Sequence, residues 1–474
     1  MACPPDLFRR RGTLPLTDLK GKKVLVVGLG RSGRAAARVC LDNGARVTVT
    51  DNRTAEALGV RLEGLPGEVT RELGGHREAT FLAADLIVLS PGVPDIAPLR
   101  AAREAGVPIT GEMELGSWFV KGTLVAITGT NGKSTTTTLT GAVAKASGYP
   151  TFVGGNLGEP LCEAVGTRAA EPGGILVVET SSFQLETIEH FHPRIAVLLN
   201  VTPDHLDRYP SFDAYAAAKA RIFASQGPSD FALVNVDDPV AMRCSEGIAS
   251  RRLLFSTAKP LEQGGWVEGE TLCLRLPGGE IERYPLHNPS LLGRHNQENA
   301  LAALLAGRLA GATPSEARRS LLEFRALPHR MELVAEARGV EYYDDSKGTN
   351  VGAVTAALSG FPRRVVLIAG GRDKGGDYAP LAASFARVGR AVVLIGEAAD
   401  RIAEAFARVV APEKILRAKT LEEAVAKAAA VAERGDAVVL SPACSSFDMF
   451  RDYAHRAEVF KAAVRAEVGA EAMQ

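Results

Sequence analysis

The sequence predicts an α/β fold of three domains in series, at residues 1–111, 112–326 and 327–474. Three observations predict it. At 474 residues the chain exceeds what one ordinary core organises, and two to four domains are expected. Short apolar runs alternate with alanine-rich helical stretches through most of the length, the rhythm of βαβ units and parallel sheets. Apolar runs near Val27 and Ile127 break into glycine turns that lead into helices, and the last third repeats the pattern with glycine or serine loops. No internal repeat or low-complexity tract is present.

The first unit opens with a buried strand at 22–27, a glycine turn and a helical run at 35–43. A strand at 45–50 follows and ends at Asp51. Another, at 85–89, runs into the turn Ser90-Pro91-Gly92, and Val107-Pro108-Ile109 reads as a short strand. The second unit starts with the strand 123–127, and its sheet continues at 175–178 and 195–199. From about 244 to 286, short segments rich in glycine and charge suggest an antiparallel excursion. A helix at 296–310 closes that unit. The third begins near Leu327, with strands at 364–369, 391–395 and 437–440.

Composition narrows the function classes. Acidic and basic residues number 55 each, so no basic surplus points to nucleic acid as the main partner. The six cysteines form no C-x-x-C pair and lie near no paired histidines, which argues against a zinc site and a disulfide framework. A reducing cytosol fits that usage. Residues 1–20 have no apolar stretch of the kind a signal peptide carries, and no window is long and apolar enough to span a membrane.

The sharpest motif is Gly129-Thr130-Asn131-Gly132-Lys133-Ser134-Thr135, between an apolar strand and a helix. Glycines let backbone N–H groups approach phosphates, and the helix N-terminus adds a favourable dipole. Lys133 can reach the outer phosphates and the Ser134 hydroxyl can ligate magnesium. The loop departs from the common spacing, because Ile127 stands where a first glycine would be. The alternative, a tight turn with a surface lysine, leaves the strand–loop–helix context unexplained. No N-K-x-D stretch is present to read guanine, so ATP is preferred over GTP. Glu179, Asp204 and His205 follow apolar runs, where ligands gather at the carboxyl ends of parallel strands. A lone acidic residue there is otherwise a cap.

Gly28, Gly30 and Gly33, with Asp51 ending the next strand, match a dinucleotide fingerprint. The same turn suits any nucleotide diphosphate, or close helix–strand packing alone. An NAD-dependent oxidoreductase is the competing reading, without a hydride-transfer site to accompany it. In the third unit, His329-Arg330, the stretch 345–350, Gly370 to Lys374 and Ser441 to Ser446 are dense in charge and hydroxyls. Cys444 reads as a small buried residue.

These residues resemble the Mur ligases, which build the stem peptide of peptidoglycan. The resemblance rests on Thr128 to Thr135, Glu179 to Glu186, Asn200 to Pro210, Leu327 to Arg330, Asp345 to Asn350 and Leu440 to Ser446, in the family's order. Outside the phosphate loop, the matches resemble the branch that adds D-glutamate to UDP-N-acetylmuramoyl-L-alanine. The resemblance implies a Rossmann-like N-terminal domain, a central P-loop mononucleotide-binding domain with a parallel sheet, and a Rossmann-like C-terminal domain. It implies that Ser32, Asp51, Asn52 and Arg53 hold the UDP moiety, with Asn156, Ser182, Gln184 and His205 also on the substrate. Glu179 and His205 would ligate magnesium with Ser134, and Lys219 matches a lysine the family carbamylates to bridge a metal pair. Residue chemistry alone reads Lys219 as an exposed helix lysine. Asn296 and Asn299 would lie against adenine, and Arg330 and Asp345 against phosphates and ribose. Lys347, Thr349, Lys374, Ser445, Ser446 and Tyr453 would line the amino-acid and ATP face of the third domain.

The implied reaction is ATP-dependent amide formation through an acyl phosphate. The resemblance implies a monomer, and composition adds the expectation of a cytoplasmic chain with no nucleic-acid partner and no membrane insertion. A sister ligase, a folylpolyglutamate synthase or a non-enzymatic nucleotide switch would share the phosphate loop. The D-glutamate reading leads because its matches extend through all three domains.

Overall fold

The computed structural model describes residues 18–469, apart from 66, 289–290, 292, 326 and 360. Cys3 and nearly all of the segment read as lacking a signal peptide lie outside these residues, as does residue 326 at the expected end of the second domain. The described chain divides into two compact units. One comprises the residues up to Val201 together with Ala216–Phe324; the other joins Thr202–Tyr215 to the residues from Arg325 onward.

The first unit carries two sheets. In the first are β1 (Lys23–Val27), β2 (Arg46–Asp51), β3 (Thr70–Leu73), β4 (Leu86–Leu89) and β5 (Ile109–Gly111), ordered β3-β2-β1-β4-β5 and all parallel. β1 is almost wholly buried, as expected of a central parallel strand covered on both faces. The following helix, Arg31–Asp42, begins earlier than its apolar pattern suggests, because Gly33 lies inside its first turn. A Cβ on Gly33 would lie 1.9 Å from the Gly28 carbonyl oxygen. The third glycine of the fingerprint therefore serves close helix–strand packing. β5 starts only at Ile109: Pro108 has no N–H to give a ladder, although its carbonyl accepts from Ile87.

The second sheet has nine strands: β6 (Thr123–Thr128), β7 (Thr151–Gly155), β8 (Ile175–Glu179), β9 (Ile195–Leu198), β10 (Phe231–Asn235), β11 (Arg251–Ser256), β12 (Gly264–Glu268), β13 (Thr271–Arg275) and β14 (Ile281–Pro285). Their order is β14-β13-β12-β11-β10-β9-β6-β8-β7. The antiparallel excursion is real but shorter than expected. β11 pairs parallel with both β10 and β12, and only the β12–β13 and β13–β14 pairs are antiparallel. The helices Lys133–Ala146 and Arg294–Leu309 share a buried cluster with Val125, Ile127 and Leu199. The cluster includes Ile127, just before the glycine loop, and Leu139 of the helix that follows it.

The second unit's sheet comprises β15 (Glu332–Ala337), β16 (Val340–Asp344), β17 (Val365–Gly370), β18 (Gly389–Ile395), β19 (Ile415–Arg417) and β20 (Ala437–Leu440), ordered β15-β16-β20-β17-β18-β19. β15 and β16 form an antiparallel hairpin, which the sequence reading did not anticipate. Cys40, Cys162, Cys244, Cys273 and Cys444 are buried free thiols. Among the described residues, no helix is long and apolar enough to cross a membrane.

Candidate active site

In the first unit, β6 delivers the glycine loop at its carboxyl end. The Thr128 hydroxyl donates to the Thr180 carbonyl at 2.8 Å, tying the loop's base to the exit of β8. Gly132 caps the helix Lys133–Ala146 with φ +85°, and a Cβ there would lie 2.1 Å from Asn299 Oδ1. Only glycine suits both the left-handed backbone and that close approach. Lys133 Nζ donates to the carbonyls of Gly129 at 2.9 Å and Thr130 at 2.7 Å. Ser134 and Thr135 are buried.

Lys219 corrects the exposed-lysine reading. It is 1% exposed, and its Nζ donates to the Gly129 carbonyl at 2.8 Å. Its helix, Phe212–Ala220, is alanine-rich, and Tyr215, Ala216, Ala218 and Ala220 are buried with it. Two lysine ammonium groups therefore meet on one loop carbonyl.

Glu179 ends β8 with a buried carboxylate, and Asn156 donates to its Oε1 at 2.7 Å. Asn156 sits in the turn after β7 and also donates its N–H to the Glu179 carbonyl at 2.9 Å. Gln184 closes a capping box, its Oε1 accepting the Ser181 N–H at 3.0 Å, and Ser182 is buried beside it. Asn299 accepts from the Thr136 hydroxyl at 3.3 Å and donates to Asn296 Oδ1 at 3.4 Å. The two asparagines thus stand one turn apart, with Asn299 against the phosphate loop.

In the first sheet, β1 and β4 flank the point where strand order reverses, the usual ligand crevice of an open parallel sheet. Asp51 Oδ2 accepts the Leu29 N–H at 2.8 Å, and Arg53 grips both carboxylate oxygens at 2.8 and 2.6 Å. Burial alone would push this carboxyl up; the hydrogen bonds from Arg53 and Leu29 outweigh it and hold the group at about 2. Ser32 lies in the first turn of Arg31–Asp42, half-buried, and Asn52 is exposed.

The second unit gathers the other predicted residues. β16 runs into Asp344 and Asp345, and β20 delivers Ser441, whose hydroxyl donates to Asp345 Oδ2 at 2.5 Å. Burial pushes the Asp345 carboxyl up to about 7, against the Ser441 hydrogen bond and the Arg330 charge. A Cβ on Gly348 would lie 2.4 Å from Asp345 Oδ2. Lys347 Nζ stands 5.3 Å from the Tyr453 ring centroid, and His329 meets that ring edge-on at 6.2 Å. His205 adopts φ +55°, and its N–H donates to Asp204 Oδ1 at 2.9 Å. Asp204 also receives Lys374 Nζ at 3.2 Å and Asn350 Nδ2 at 3.1 Å. Asp204, Asn350 and Lys374 stand at a cavity of about 540 Å³ that is otherwise lined largely by apolar atoms, Leu206 and Val351 among them. Thr349 donates its N–H to the Lys347 carbonyl at 2.9 Å; Ser446 is buried and Ser445 half-buried.

Three contributors escaped sequence reasoning. Asn200, quoted only within a longer motif, clasps the phosphate loop. Asp344 accepts from His329 Nδ1 at 2.7 Å while fully buried. Arg456, also fully buried, donates to the carbonyls of Ser346 at 2.8 Å and Cys444 at 3.3 Å, joining two loops. An arginine in an alanine-rich helix carries no local sign of burial.

Known proteins resemble this chain along nearly its whole length. Residues 22–111 match the Mur ligase MurD-like N-terminal domain, 127–307 the Mur ligase middle domain, and 329–444 the Mur ligase glutamate ligase domain. The UDP-N-acetylmuramoylalanine--D-glutamate ligase of Geotalea daltonii is 50% identical over 458 residues, covering 95% of this chain and 99% of that protein. The protein of the same name from Anaeromyxobacter dehalogenans is 50% identical over 456 residues, covering 94% and 97%. Among solved structures, UDP-N-acetylmuramate-alanine ligase MurC from Thermotoga maritima aligns with a TM-score of 0.59 at 20% identity, covering 94% of this chain and 99% of that one. MurF ligase from Thermotoga maritima, in complex with ADP, aligns with a TM-score of 0.58 at 20% identity, covering 98% and 100%. Those two likenesses concern the fold. Three domain matches in series and half-identical relatives along nearly the whole length lead to one statement: the chain belongs to the Mur ligase family.

Proposed function

We propose that the chain adds D-glutamate to UDP-N-acetylmuramoyl-L-alanine, at the expense of ATP, as a step of peptidoglycan precursor synthesis. The observation that carries the reading is the glycine loop with two lysines on its Gly129 carbonyl, in a chain half identical to ligases of that name. The competing oxidoreductase reading has no support among these relatives.

The first unit would hold the nucleotide and the UDP substrate. Lys133 and the helix N-terminus beneath it would neutralise the outer phosphates, with Asn296 and Asn299 toward the base. Asp51, held ionised, and Arg53 would meet the uridine end with Ser32 and Asn52. Asn156, Ser182 and Gln184 would position the remainder of that substrate. The alanyl carboxylate attacks the γ-phosphorus and ADP leaves, giving an acyl phosphate. The amine of D-glutamate then attacks the acyl carbon, phosphate departs with the C–O bond, and an amide forms. Arg330, Asp345, Lys347, Thr349, Lys374, Ser445, Ser446 and Tyr453, in the second unit, would serve the nucleotide and the amino acid. Lys374 would exchange Asp204 for a substrate carboxylate.

Magnesium fits the donor chemistry. The Glu179 carboxylate and Ser134 hydroxyl are oxygen donors suited to a hard cation, and both are buried at the loop. A carbamylated Lys219, at the same loop, would add a further oxygen ligand and so serve two ions. Bound there, magnesium would supply positive charge to the phosphates. We further propose a cytoplasmic monomer, on the family resemblance.

The test is phosphate release with ATP, magnesium and UDP-N-acetylmuramoyl-L-alanine, adding one amino acid at a time. Release that depends on D-glutamate and disappears in Lys133→Ala is the expected result. Release with L-alanine, another amino acid or none would sink the assignment.

A further inference from the structure

We infer that Asn200 is a positioning residue that fixes the phosphate loop's shape and removes the N–H groups of Thr130 and Asn131 from the phosphate cradle. The inference rests on the nucleotide reading above. Asn200 lies two residues past the end of β9 and makes three bonds to the loop. Its carbonyl accepts the Thr130 N–H at 2.9 Å. Its side-chain Oδ1 accepts the Asn131 N–H at 2.9 Å, and its Nδ2 donates to the Asn131 carbonyl at 3.2 Å. The carboxamide thus satisfies both backbone groups of Asn131, as an added strand residue would.

The clasp is itself anchored. Leu199 donates its N–H to the Thr128 carbonyl at 3.0 Å, and Val201 donates to Asp238 Oδ2 at 2.9 Å. Asp238 Oδ1 meanwhile caps the helix Pro239–Cys244 through the N–H groups of Val240 and Ala241. Gly129 packs against the same segment: a Cβ there would lie 2.9 Å from Leu199 Cβ and 3.3 Å from the Asn200 nitrogen. An N–H already bonded to an amide oxygen must break that bond to meet a phosphate. Phosphate recognition then falls to the helix N-terminus that begins at Gly132, with Thr130 and Asn131 as spacers.

The test uses the full chain with ADP and magnesium as the probe. Asn200→Ala is expected to weaken ADP binding about tenfold by titration calorimetry, the loss of one or two amide bonds. The ATP KM should rise in parallel while the KM for the amino acid stays put, a split that general loosening of the fold would not give. Asn200→Asp keeps an acceptor for Asn131 but not the donor, and should fall between. Independently of any variant, single-residue hydrogen exchange on the unaltered chain should find Thr130 and Asn131 protected before ADP arrives, with new protection beginning at Gly132. ADP binding unchanged in Asn200→Ala, or Thr130 and Asn131 amides that exchange freely until ADP binds, overturns the inference. An unaltered chain that binds no ADP overturns the nucleotide reading and the inference with it.

Discussion

Gly132 and Gly148 form a matched pair that separates backbone strain from collision. Both lie in the central sheet domain, with φ of +85° and +82°. An alanine at either position pays the left-handed penalty, about 1–2 kcal/mol. Their surroundings differ. A Cβ on Gly148 meets nothing within 4 Å, whereas one on Gly132 would lie 2.1 Å from Asn299 Oδ1. Asn299 would have to swing away and lose its contacts with Thr136 at 3.3 Å and Asn296 at 3.4 Å. Both contacts are long, so together they add about 1–2 kcal/mol. Gly132→Ala should therefore destabilise by about 2–4 kcal/mol and Gly148→Ala by about 1–2 kcal/mol, read as shifts in urea unfolding. The functional split is sharper. Displacing Asn299 should weaken ADP binding by tenfold or more, about 1.4 kcal/mol, in Gly132→Ala alone. Equal stability losses in the two variants, or unaltered ADP affinity in Gly132→Ala, would refute the reasoning.

Other perturbations follow from the same contacts. Asp345 holds its proton up to about pH 7 when folded, whereas an unfolded aspartate loses it near 4. Stability should fall as pH rises through that window, by on the order of 4 kcal/mol, and level off above it; urea midpoints at several pH values should lose that slope in Asp345→Asn. If ionised Asp345 serves the nucleotide, the ATP KM should improve between pH 6 and 8, and Asp345→Asn should abolish the trend. Lys219→Met keeps a long buried stem but removes the amine, so phosphate release should drop at least a hundredfold while the thermal midpoint holds. Glu114 accepts N–H groups of Trp118, Glu189, His190 and Phe191, two on each oxygen, and Glu114→Gln would set an NH2 against two of them. Its thermal midpoint should fall as for a loss of about 2–4 kcal/mol.

Most of the strands that the sequence reading missed share a physical character; β10, a largely buried apolar run, is the exception. β3 is half-exposed and polar, β7 carries two glycines, and the β15–β16 hairpin mixes acids with tyrosines. None offers the unbroken apolar run that marks β1, β6, β17 or β20. Lys219 was legible only through the family resemblance. Alanine buries without advertising it, so a helix of alanines gives no contrast between its faces, and a lysine on it looks exposed by default.

The glycines mark where sequence reading ends. Gly33, Gly132 and Gly348 each stand in a turn that the sequence singled out, one in each expected domain. A Cβ at each would strike a polar atom: the Gly28 carbonyl at 1.9 Å, Asn299 Oδ1 at 2.1 Å, and Asp345 Oδ2 at 2.4 Å with Ser441 Oγ at 2.7 Å. A glycine in a strand–turn–helix context announces that something approaches closely, but its type says nothing of what approaches. For Gly33 the partner lies five residues away and the turn motif already contains it. For Gly132 the partner arrives from the helix Arg294–Leu309, across the whole central sheet domain in sequence, and for Gly348 part of it comes from the end of β20. Sequence spacing cannot encode such a meeting, because it depends on which strands lie side by side. The order β9-β6-β8 brings Asn200, the phosphate loop and Glu179 to one sheet edge, and β16-β20-β17 does the same for Asp345, Ser441 and Gly371. Strand order, rather than any single motif, turns three glycine loops into places where nucleotide chemistry can be held.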